Sequence, residues 1–496
     1  MLRNCRPLFA LALPLLLTAC AQVAPSAPRT EPSPLAWQAP VPDLPHQGKL
    51  TDLSRWWQQW NDATLVELID AAQGANPTLD AAQARLGQAQ ASLQLSQAML
   101  GPAVDASLSS NRGRQTTIFG SPIATVTQAR VGASWETDLF GQNHALRDAA
   151  QLRLQGAQAA WHEARVSLAA DVARLYLSHR ACEATLAFQR GDTQSRAVTA
   201  RLTQAQADAG FVTVTTATLA SAAVAESSAR MRQQLASCDL DIKGLVALTG
   251  LSEPDLRRRL ATSAQNDAQT NTQTYGKAVA QPPSLAVETI PAKALAQRPD
   301  VYQADRQVAA ASAELGSAQA ERYPRLTLSG AVGQMNLRLP GNIIDLSTWS
   351  IGPVTLSVPL WDNGRFAAHV AETTARYDEA AANYRAKVRQ AVREVEEALV
   401  NLDSARGRLA DLQSAASGYL ALFTGTQQRQ QQGLAPLTEL EDTRRTLLAA
   451  QAALTAQQRD TQLAWVALYR AVGGGWTPDA PTSPNPSTAT AKTAVP

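Results

Sequence analysis

Two cysteines carry the chemistry that the sequence predicts most directly, a disulfide bond. Cys182 and Cys238 lie at equal distances before and after Gly210, each on the apolar seam of a long helical pattern. If the chain folds back at Gly210, the two thiols come to the same height, and an oxidising compartment would join them. The alternative is that both are small buried hydrophobic residues.

The other reactive side chains form no catalytic or metal-binding pattern. None of the five histidines lies at a metal-ligand spacing from cysteines or acids. The sequence also lacks a nucleophile elbow, a phosphate-binding loop and a zinc-helix motif. We therefore expect no enzyme activity, no bound metal and no cofactor.

The N-terminus is predicted to be a secretory signal that ends in a lipidation site. Arg3 and Arg6 precede an apolar stretch, 8–17, that is too short to span a membrane. The Leu-Thr-Ala-Cys sequence that follows resembles a bacterial lipobox, which implies a signal peptide at 1–19 and lipidation of Cys20. The alanine after the cysteine implies, by the same resemblance, sorting to the outer membrane. The alternative is an unlipidated signal with a chance cysteine.

Both ends of the chain are predicted to lie outside any packed core. Residues 20–50 are rich in proline, so we expect an extended, lipidated tether between the membrane and the body. Residues 477–496 are rich in Pro, Ser, Thr and Ala, and we expect a disordered tail there.

Charge and hydropathy exclude several function classes. The 496 residues include 44 Lys and Arg against 42 Asp and Glu, for a net charge of +2. Such a balance argues against nucleic-acid binding and against a polybasic membrane-surface module. After residue 20 no apolar run is long enough for a spanning helix, which argues against a polytopic helical membrane protein.

The body of the chain repeats itself with an offset of about 222 residues. Four pairs of landmarks keep this offset: Asn-Pro at 76–77 with Arg-Pro at 298–299, Leu-Phe-Gly at 139–141 with Leu-Trp at 360–361, Ala-Gly at 209–210 with Gln-Gly at 432–433, and Leu-Thr-Gly at 248–250 with Val-Gly-Gly at 472–474. We therefore predict two repeats, 51–262 and 291–476, joined by a linker at 263–290.

Each repeat is predicted to contain a helix, two strands, a long helix and a shorter return helix. Alternating apolar residues indicate the strands, and heptads indicate coiled-coil packing of the long helices. Gly210 and Gly433 mark the turns into the return helices. The predicted bounds are helices 77–99 and 299–321, strands 104–110, 125–139, 326–332 and 349–360, long helices 142–208 and 363–431, and return helices 215–248 and 437–471.

Neither the long helices nor the strands can be stable in an isolated chain. A helix of about 67 residues, roughly 100 Å long, needs partners to bury its apolar seam. Four strands cannot close a membrane barrel, but three chains would pool twelve. In a mainly α-helical protein with a membrane β part, a trimer would therefore pool the strands of three chains into one barrel and their helices into one cylinder.

Motifs along the body resemble those of the outer membrane factors, the TolC-like family, and within it the NodT-type efflux lipoproteins. The matching stretches are WWQQWND at 56–62, NPTL at 76–79, ARL at 84–86, SWETDLFG at 134–141, QRPDV at 297–301, VPLWDNG at 358–364, EVEEAL at 394–399 and LYRAVGGGW at 468–476. The resemblance implies a homotrimer in outer-membrane lipid, with a twelve-stranded β-barrel that is continued by a long α-helical coiled-coil barrel in the periplasm. It implies that this trimer works as a passive exit duct. It also implies two protein partners, a periplasmic adaptor and an inner-membrane pump of the resistance-nodulation-division type.

Three acids beyond Gly433 are candidates for a periplasmic gate. Glu439, Glu441 and Asp442 would each recur three times around a narrowing pore, where carboxylates favour cations and can hold the pore shut. The resemblance places the family's gate-ring aspartate at Asp442. The alternative is that these acids favour the start of a helix. Residues 211–219 of the first repeat contain no acid, so we expect the two turns to differ.

Two other functions remain open from the sequence. One is the exit duct of a type I protein-secretion system. The other is a periplasmic coiled-coil scaffold lipoprotein, which would have no use for four alternating strands.

Overall fold

In the computed structural model, a helix, two strands, a very long helix and a shorter helix follow one another twice. The structure describes residues 37–39, 53–114, 123–270, 295, 297–339 and 341–476. The predicted signal peptide, Cys20, nearly all of the tether and the tail lie outside the described residues. Among the described helices, none is both long and apolar enough to cross a membrane.

The elements of the first copy are bounded as follows. A 3-10 helix (Leu53–Trp60) and α1 (Ala63–Ala75) come first. They are followed by α2 (Pro77–Ala98), β1 (Ala103–Arg114), β2 (Ile123–Glu136), α3 (Gln142–Asp208), α4 (Val214–Thr249) and α5 (Glu253–Thr270). Helix α5 extends into the predicted linker, 263–290, because its sequence contains no proline after Pro254.

The second copy repeats the central elements of the first. It consists of α6 (Pro299–Ala320), β3 (Arg325–Leu339), β4 (Asn342–Ser357), α7 (Arg365–Gln431) and α8 (Leu437–Ala471). The predicted bounds of α8 are the observed ones, and α7 begins two residues later than predicted. Gly364, at φ +87°, adopts a left-handed conformation just before α7, which favours glycine at this position.

The chain divides into two compact units. One unit includes Ala84–Gln158 and Gln303–Ala386, and it contains all four strands. The strands form one antiparallel sheet in the order β1-β2-β3-β4, so that the central pair, β2 and β3, joins the two copies.

The loop predicted between β3 and β4 is much shorter than expected. The predicted strands 326–332 and 349–360 leave residues 333–348 as a connecting loop, but Gly333 pairs with Thr348 and the pairing continues to Leu339 and Asn342. A sheet with a polar face accepts such residues without losing its backbone hydrogen bonds. The prediction of a long loop here was wrong.

The other unit, which includes Ala159–Tyr302, has a core built from the predicted heptad seam. Leu399 and Leu402 are fully buried, and Val388 and Val395 nearly so. The Trp56 ring lies 4.7 Å from the Tyr469 ring in a stacked arrangement. The tryptophans of the 3-10 helix therefore pack in this core against α8.

Candidate functional site

One face of the sheet is apolar over most of its height. Directly paired residues point to the same face, so the row of Trp349, Val332, Val131 and Ala106 lies on one side of all four strands. The next row on this face consists of Ile351, Gly330, Ala133 and Val104. Trp349 is 76% exposed and Ile351 is 93% exposed, so a single chain leaves this apolar surface uncovered.

A β-bulge keeps the apolar face continuous. Gly330 pairs with Ile351, but Leu328 pairs with Val354, so β4 contains one extra residue at this point. An extra residue shifts the alternation of side chains by one position. Val354 and Leu356 therefore remain on the same face as Trp349 and Ile351.

The opposite face of the same sheet is polar on β1 and along most of β2. On β3 and β4 it is polar as far as Gly333 and Thr348, and beyond them it carries Met335, Leu337, Ile344 and Leu346. Asp105, Ser107 and Ser109 alternate with the apolar residues of β1, and Arg130 and Gln128 do the same on β2. A two-faced sheet of this kind separates a lipid phase from water, which is the property that an outer-membrane channel wall requires.

In the other unit, each long helix is followed by a glycine turn at the predicted position. Gly210 has φ +78° and Gly433 has φ +73°, conformations that favour glycine. Beyond each glycine, the backbone N–H reaches back to the helix, from Phe211 to the Gln206 carbonyl and from Leu434 to the Arg429 carbonyl, at 2.8 Å in both turns. This pattern satisfies carbonyl groups at the helix ends and reverses the chain sharply.

The three candidate gate acids occupy different environments. Glu439 accepts a hydrogen bond from Arg429 across the turn at 2.9 Å. Asp442 forms an ion pair with Arg445 on the next turn of α8, and its side chain is 68% exposed. Glu441 is only 3% exposed and pairs with Arg444 at 3.2 Å. Its burial within the chain separates Glu441 from the surface on which a carboxylate ring would form.

The ion pair of Asp442 connects two helices of the chain. Arg445 also donates a hydrogen bond to the hydroxyl of Thr199 on α3, at 3.1 Å. The first turn has no equivalent acid and is capped instead by Thr213, whose hydroxyl accepts from the N–H of Thr216. The two turns therefore differ in their charged groups.

Cys182 of α3 and Cys238 of α4 are bonded to each other in the structure. Their sulfur atoms lie 2.10 Å apart and their Cα atoms 5.6 Å apart. The amide of Gln234 donates to the Cys182 sulfur at 2.9 Å. Both cysteines are buried, so the bond crosses the interior of the first hairpin.

A buried ionic cluster centred on Arg298 was not predicted from the sequence. Arg298 donates to both carboxylate oxygens of Asp300, at 3.0 and 2.8 Å, and to Glu394 at 2.7 Å. It also donates to the carbonyl of Ala471 at 2.8 Å. Ala471 is the last residue of α8, so the Arg298 side chain connects the end of the second copy to its beginning.

The Arg298 cluster borders a cavity of about 490 Å³. Glu163, Lys387 and Arg470 also line the cavity. Burial raises the pKa of the Glu163 carboxyl, and the negative charge of Asp300 raises it further. The close approach of the two chain segments depends on Gly473, since a Cβ there would lie 2.5 Å from the Gln297 carbonyl oxygen.

Two of the three acids at 394–397 have partners in distant parts of the chain, whereas the third, Glu397, is exposed. Glu394 belongs to the Arg298 cluster. Glu396 accepts hydrogen bonds from the backbone N–H groups of Gln38 and Ala39, each at 2.7 Å. The neighbouring Trp37 side chain is buried in the core. The carboxylate therefore holds a short piece of the predicted tether against the body.

His162 gives the fold a predicted sensitivity to acid. Its ring packs 4.9 Å from Trp161, and burial, with a smaller contribution from Arg165, lowers its pKa from 6.5 to about 4. The folded state thus favours the neutral ring, and this stabilisation is lost as the pH falls from 6.5 through 4. We expect His162→Gln to lose less stability than the wild type between pH 7 and pH 4 in thermal melts. Equal losses would contradict the assignment.

A family model and several known proteins match most of the chain. The outer membrane efflux protein family model matches residues 68–251 and 290–474. The solvent efflux pump outer membrane protein SrpC of Pseudomonas putida is 28% identical over 434 residues, 86% of this chain and 88% of SrpC. Nodulation protein T of Rhizobium leguminosarum bv. viciae is 27% identical over 492 residues, 95% of this chain and 93% of that protein.

A solved structure supports the fold. The crystal structure of the Campylobacter jejuni CmeC outer membrane channel superposes with a TM-score of 0.77, covering 92% of this chain and 96% of the CmeC chain. The two sequences are 19% identical, so this likeness concerns the fold alone.

Proposed function

The chain belongs to the outer membrane efflux protein family, and on that premise we propose that three copies form a channel for small toxic solutes. In this proposal, four strands from each chain close a twelve-stranded barrel in the outer membrane, and the helices enclose a duct in the periplasm. The observation that carries the proposal is the two-faced sheet, whose exposed apolar side needs lipid and whose open edges, β1 and β4, need partners.

The channel is proposed to work passively within a larger assembly. An inner-membrane pump supplies the energy, and a periplasmic adaptor connects the pump to this duct. Lipidation of Cys20 anchors each chain to the membrane, and the contact of Glu396 with Gln38 and Ala39 holds the tether to the body. Family membership favours efflux over the two alternatives considered from the sequence, a protein-secretion duct and a scaffold.

Dye accumulation tests the efflux function. Deleting the gene in a strain without other efflux channels is expected to raise the accumulation of a lipophilic fluorescent dye, and the wild-type gene should restore the low level. A matched strain that expresses the Cys20→Ala protein tests the anchor separately: the barrel should keep this protein in the membrane fraction, and the mass of its N-terminal peptide should lack the lipid. Unchanged accumulation after deletion would contradict efflux of such solutes.

The gate is proposed to lie at the second glycine turn, with Asp442 as its pore-facing acid. Asp442 is the exposed acid whose partner, Arg445, also contacts α3, so movement of α8 relative to α3 would strain or break this connection. Glu439 contributes by closing the turn through Arg429. Glu441 holds Arg444 inside the chain and has no direct contact with the pore in this proposal.

Asp442→Asn is expected to reduce the channel's preference for cations. A carboxylate 4 Å from a cation contributes about 1 kcal/mol even in water, which is a factor of about five, so neutralising the ring should lower the cation-to-anion permeability ratio at least about fivefold. The measurement is the reversal potential across a planar bilayer with a salt gradient. The matched control is Glu226→Gln, an exposed acid on α4 that also pairs with an arginine one turn away. An unchanged ratio in D442N would contradict the assignment.

A further inference from the structure

Three arginines lie at one end of the apolar face of the sheet. Arg112 pairs with Thr125, and Thr125 pairs with Arg338. The side chains of Arg112 and Arg338 therefore lie in one row and on one face of the sheet. Arg114 lies two residues further along β1, on the same side. Arg112 and Arg338 are separated by one strand, hence by about 10 Å.

The position of these arginines follows from the layout of the face. The apolar face extends along β3 from Leu326 to Gln334, whose row also contains Leu108. At ~3.4 Å per residue this is a length of about 27 Å. An outer-membrane barrel presents an apolar band about 25 Å tall to lipid. The arginine row lies about 14 Å beyond Gln334, so it falls in the headgroup layer rather than among the acyl chains.

The row between the apolar band and the arginines is polar and uncharged over most of its width. Ser110 and Thr127 form a hydrogen bond at 3.1 Å, and Asn336 donates to Asp345 at 2.6 Å. Asp345 is the one carboxylate on this stretch of the face, and its hydrogen bond to Asn336 occupies one of its oxygens.

The arginines are available to an external partner. Arg112, Arg114 and Arg338 are all exposed, and among the described residues none of the three forms an ion pair. They lie at the strand ends opposite to those that lead into α2, α3, α6 and α7. If the helices are in the periplasm, this end of the sheet lies at the outer surface of the membrane.

We propose that Arg112, Arg114 and Arg338 form a binding site for the phosphate groups of the outer-leaflet glycolipid, one site for each chain of the trimer. A guanidinium group binds phosphate through two parallel N–H donors, which makes arginine well suited to this ligand. The outer leaflet of a bacterial outer membrane consists largely of phosphorylated glycolipid, so the ligand is present at the height of the arginines. The site rests on the proposed function, because the barrel sets the face and the leaflet.

The site would fix the barrel's depth in the membrane. An apolar band alone allows the barrel to slide by several ångströms, whereas phosphate contacts at three positions around its rim hold it at one depth. The same contacts tie the rim to lipid molecules that are themselves packed tightly together.

Native mass spectrometry of the purified full-length protein in detergent tests the site. The probe is lipid A with both phosphates, compared with the same lipid after enzymatic dephosphorylation. We expect the wild type to bind the phosphorylated lipid roughly tenfold more tightly, since three exposed ion pairs each contribute modestly. The variant R112Q/R114Q/R338Q should bind both lipids equally and weakly.

A matched control distinguishes the loss of three positive charges from the loss of the proposed binding site. The variant R130Q/R322Q/R325Q also removes three arginines from this unit, with Arg130 and Arg325 on the polar face of the sheet, and it should keep the wild-type preference. Equal binding of the two lipids by the wild type, or an unchanged preference in R112Q/R114Q/R338Q, would overturn the proposed site. A monomeric mass in the same spectra would contradict the proposed channel itself, whereas a trimer without phosphate preference contradicts only the arginine site.

Discussion

Replacing Arg298 by alanine is expected to lower the free energy of unfolding by about 3–5 kcal/mol. Arg298 is 6% exposed and Asp300 is 7% exposed, so the variant would leave a buried carboxylate without its partner. Burial raises the pKa of Asp300, but Arg298, with smaller contributions from Lys387 and the Val301 N–H, lowers it by more, so that the pKa is lowered in the folded chain. The Ala471 carbonyl would lose its donor as well.

Urea unfolding followed by tryptophan fluorescence, in detergent and at a fixed subunit concentration, measures this change. Arg153→Ala is the control, because Arg153 forms an ion pair with Glu314 on the surface, where such pairs contribute at most about 1 kcal/mol. The double variant R298L/D300L should recover part of the loss, since it removes both buried charges. Equal losses in R298A and R153A would show that the cluster does not stabilise the fold as described.

Replacing Cys182 and Cys238 together by alanine is expected to cost about 2–4 kcal/mol. The two cysteines are 56 residues apart in sequence, so the bond removes many conformations from the unfolded chain. The measurement is the melting temperature with and without reductant. The wild type should lose stability when reduced, and the double variant should melt at the same temperature in both conditions.

Thiol labelling of the unfolded, unreduced protein provides the control for this prediction. The wild type should show no reactive thiol at either position, and reduction should release two. If peptide mapping under non-reducing conditions found Cys182 and Cys238 free, or if reductant left the melting temperature of the wild type unchanged, the stabilising disulfide would be contradicted.

The sequence allowed the long helices and their turns to be predicted because their signals are repeated many times. The heptad positions of α7 recur over several turns, and no proline interrupts α3 or α7. Gly210 and Gly433 mark conformations that other residues adopt only with strain. Local features of this kind fix an element without any knowledge of its neighbours.

Features that depend on distant parts of the chain could not be predicted in the same way. The charge of Glu394 suggests a solvated helix face, and only the fold brings Arg298 beside it from 96 residues away. Glu441 and Asp442 are adjacent in sequence, yet one is buried and the other exposed, because their side chains leave α8 in different directions. The arginines at the sheet rim share a face only through the strand register.

The number of chains in the detergent-extracted protein tests the central claim most directly. Light scattering with the detergent contribution subtracted gives the mass of protein in each particle. Three chains per particle is the predicted result, because only a closed barrel covers the free edges of β1 and β4 and removes the open seam of the sheet. A particle that contains a single folded chain would contradict the proposed channel.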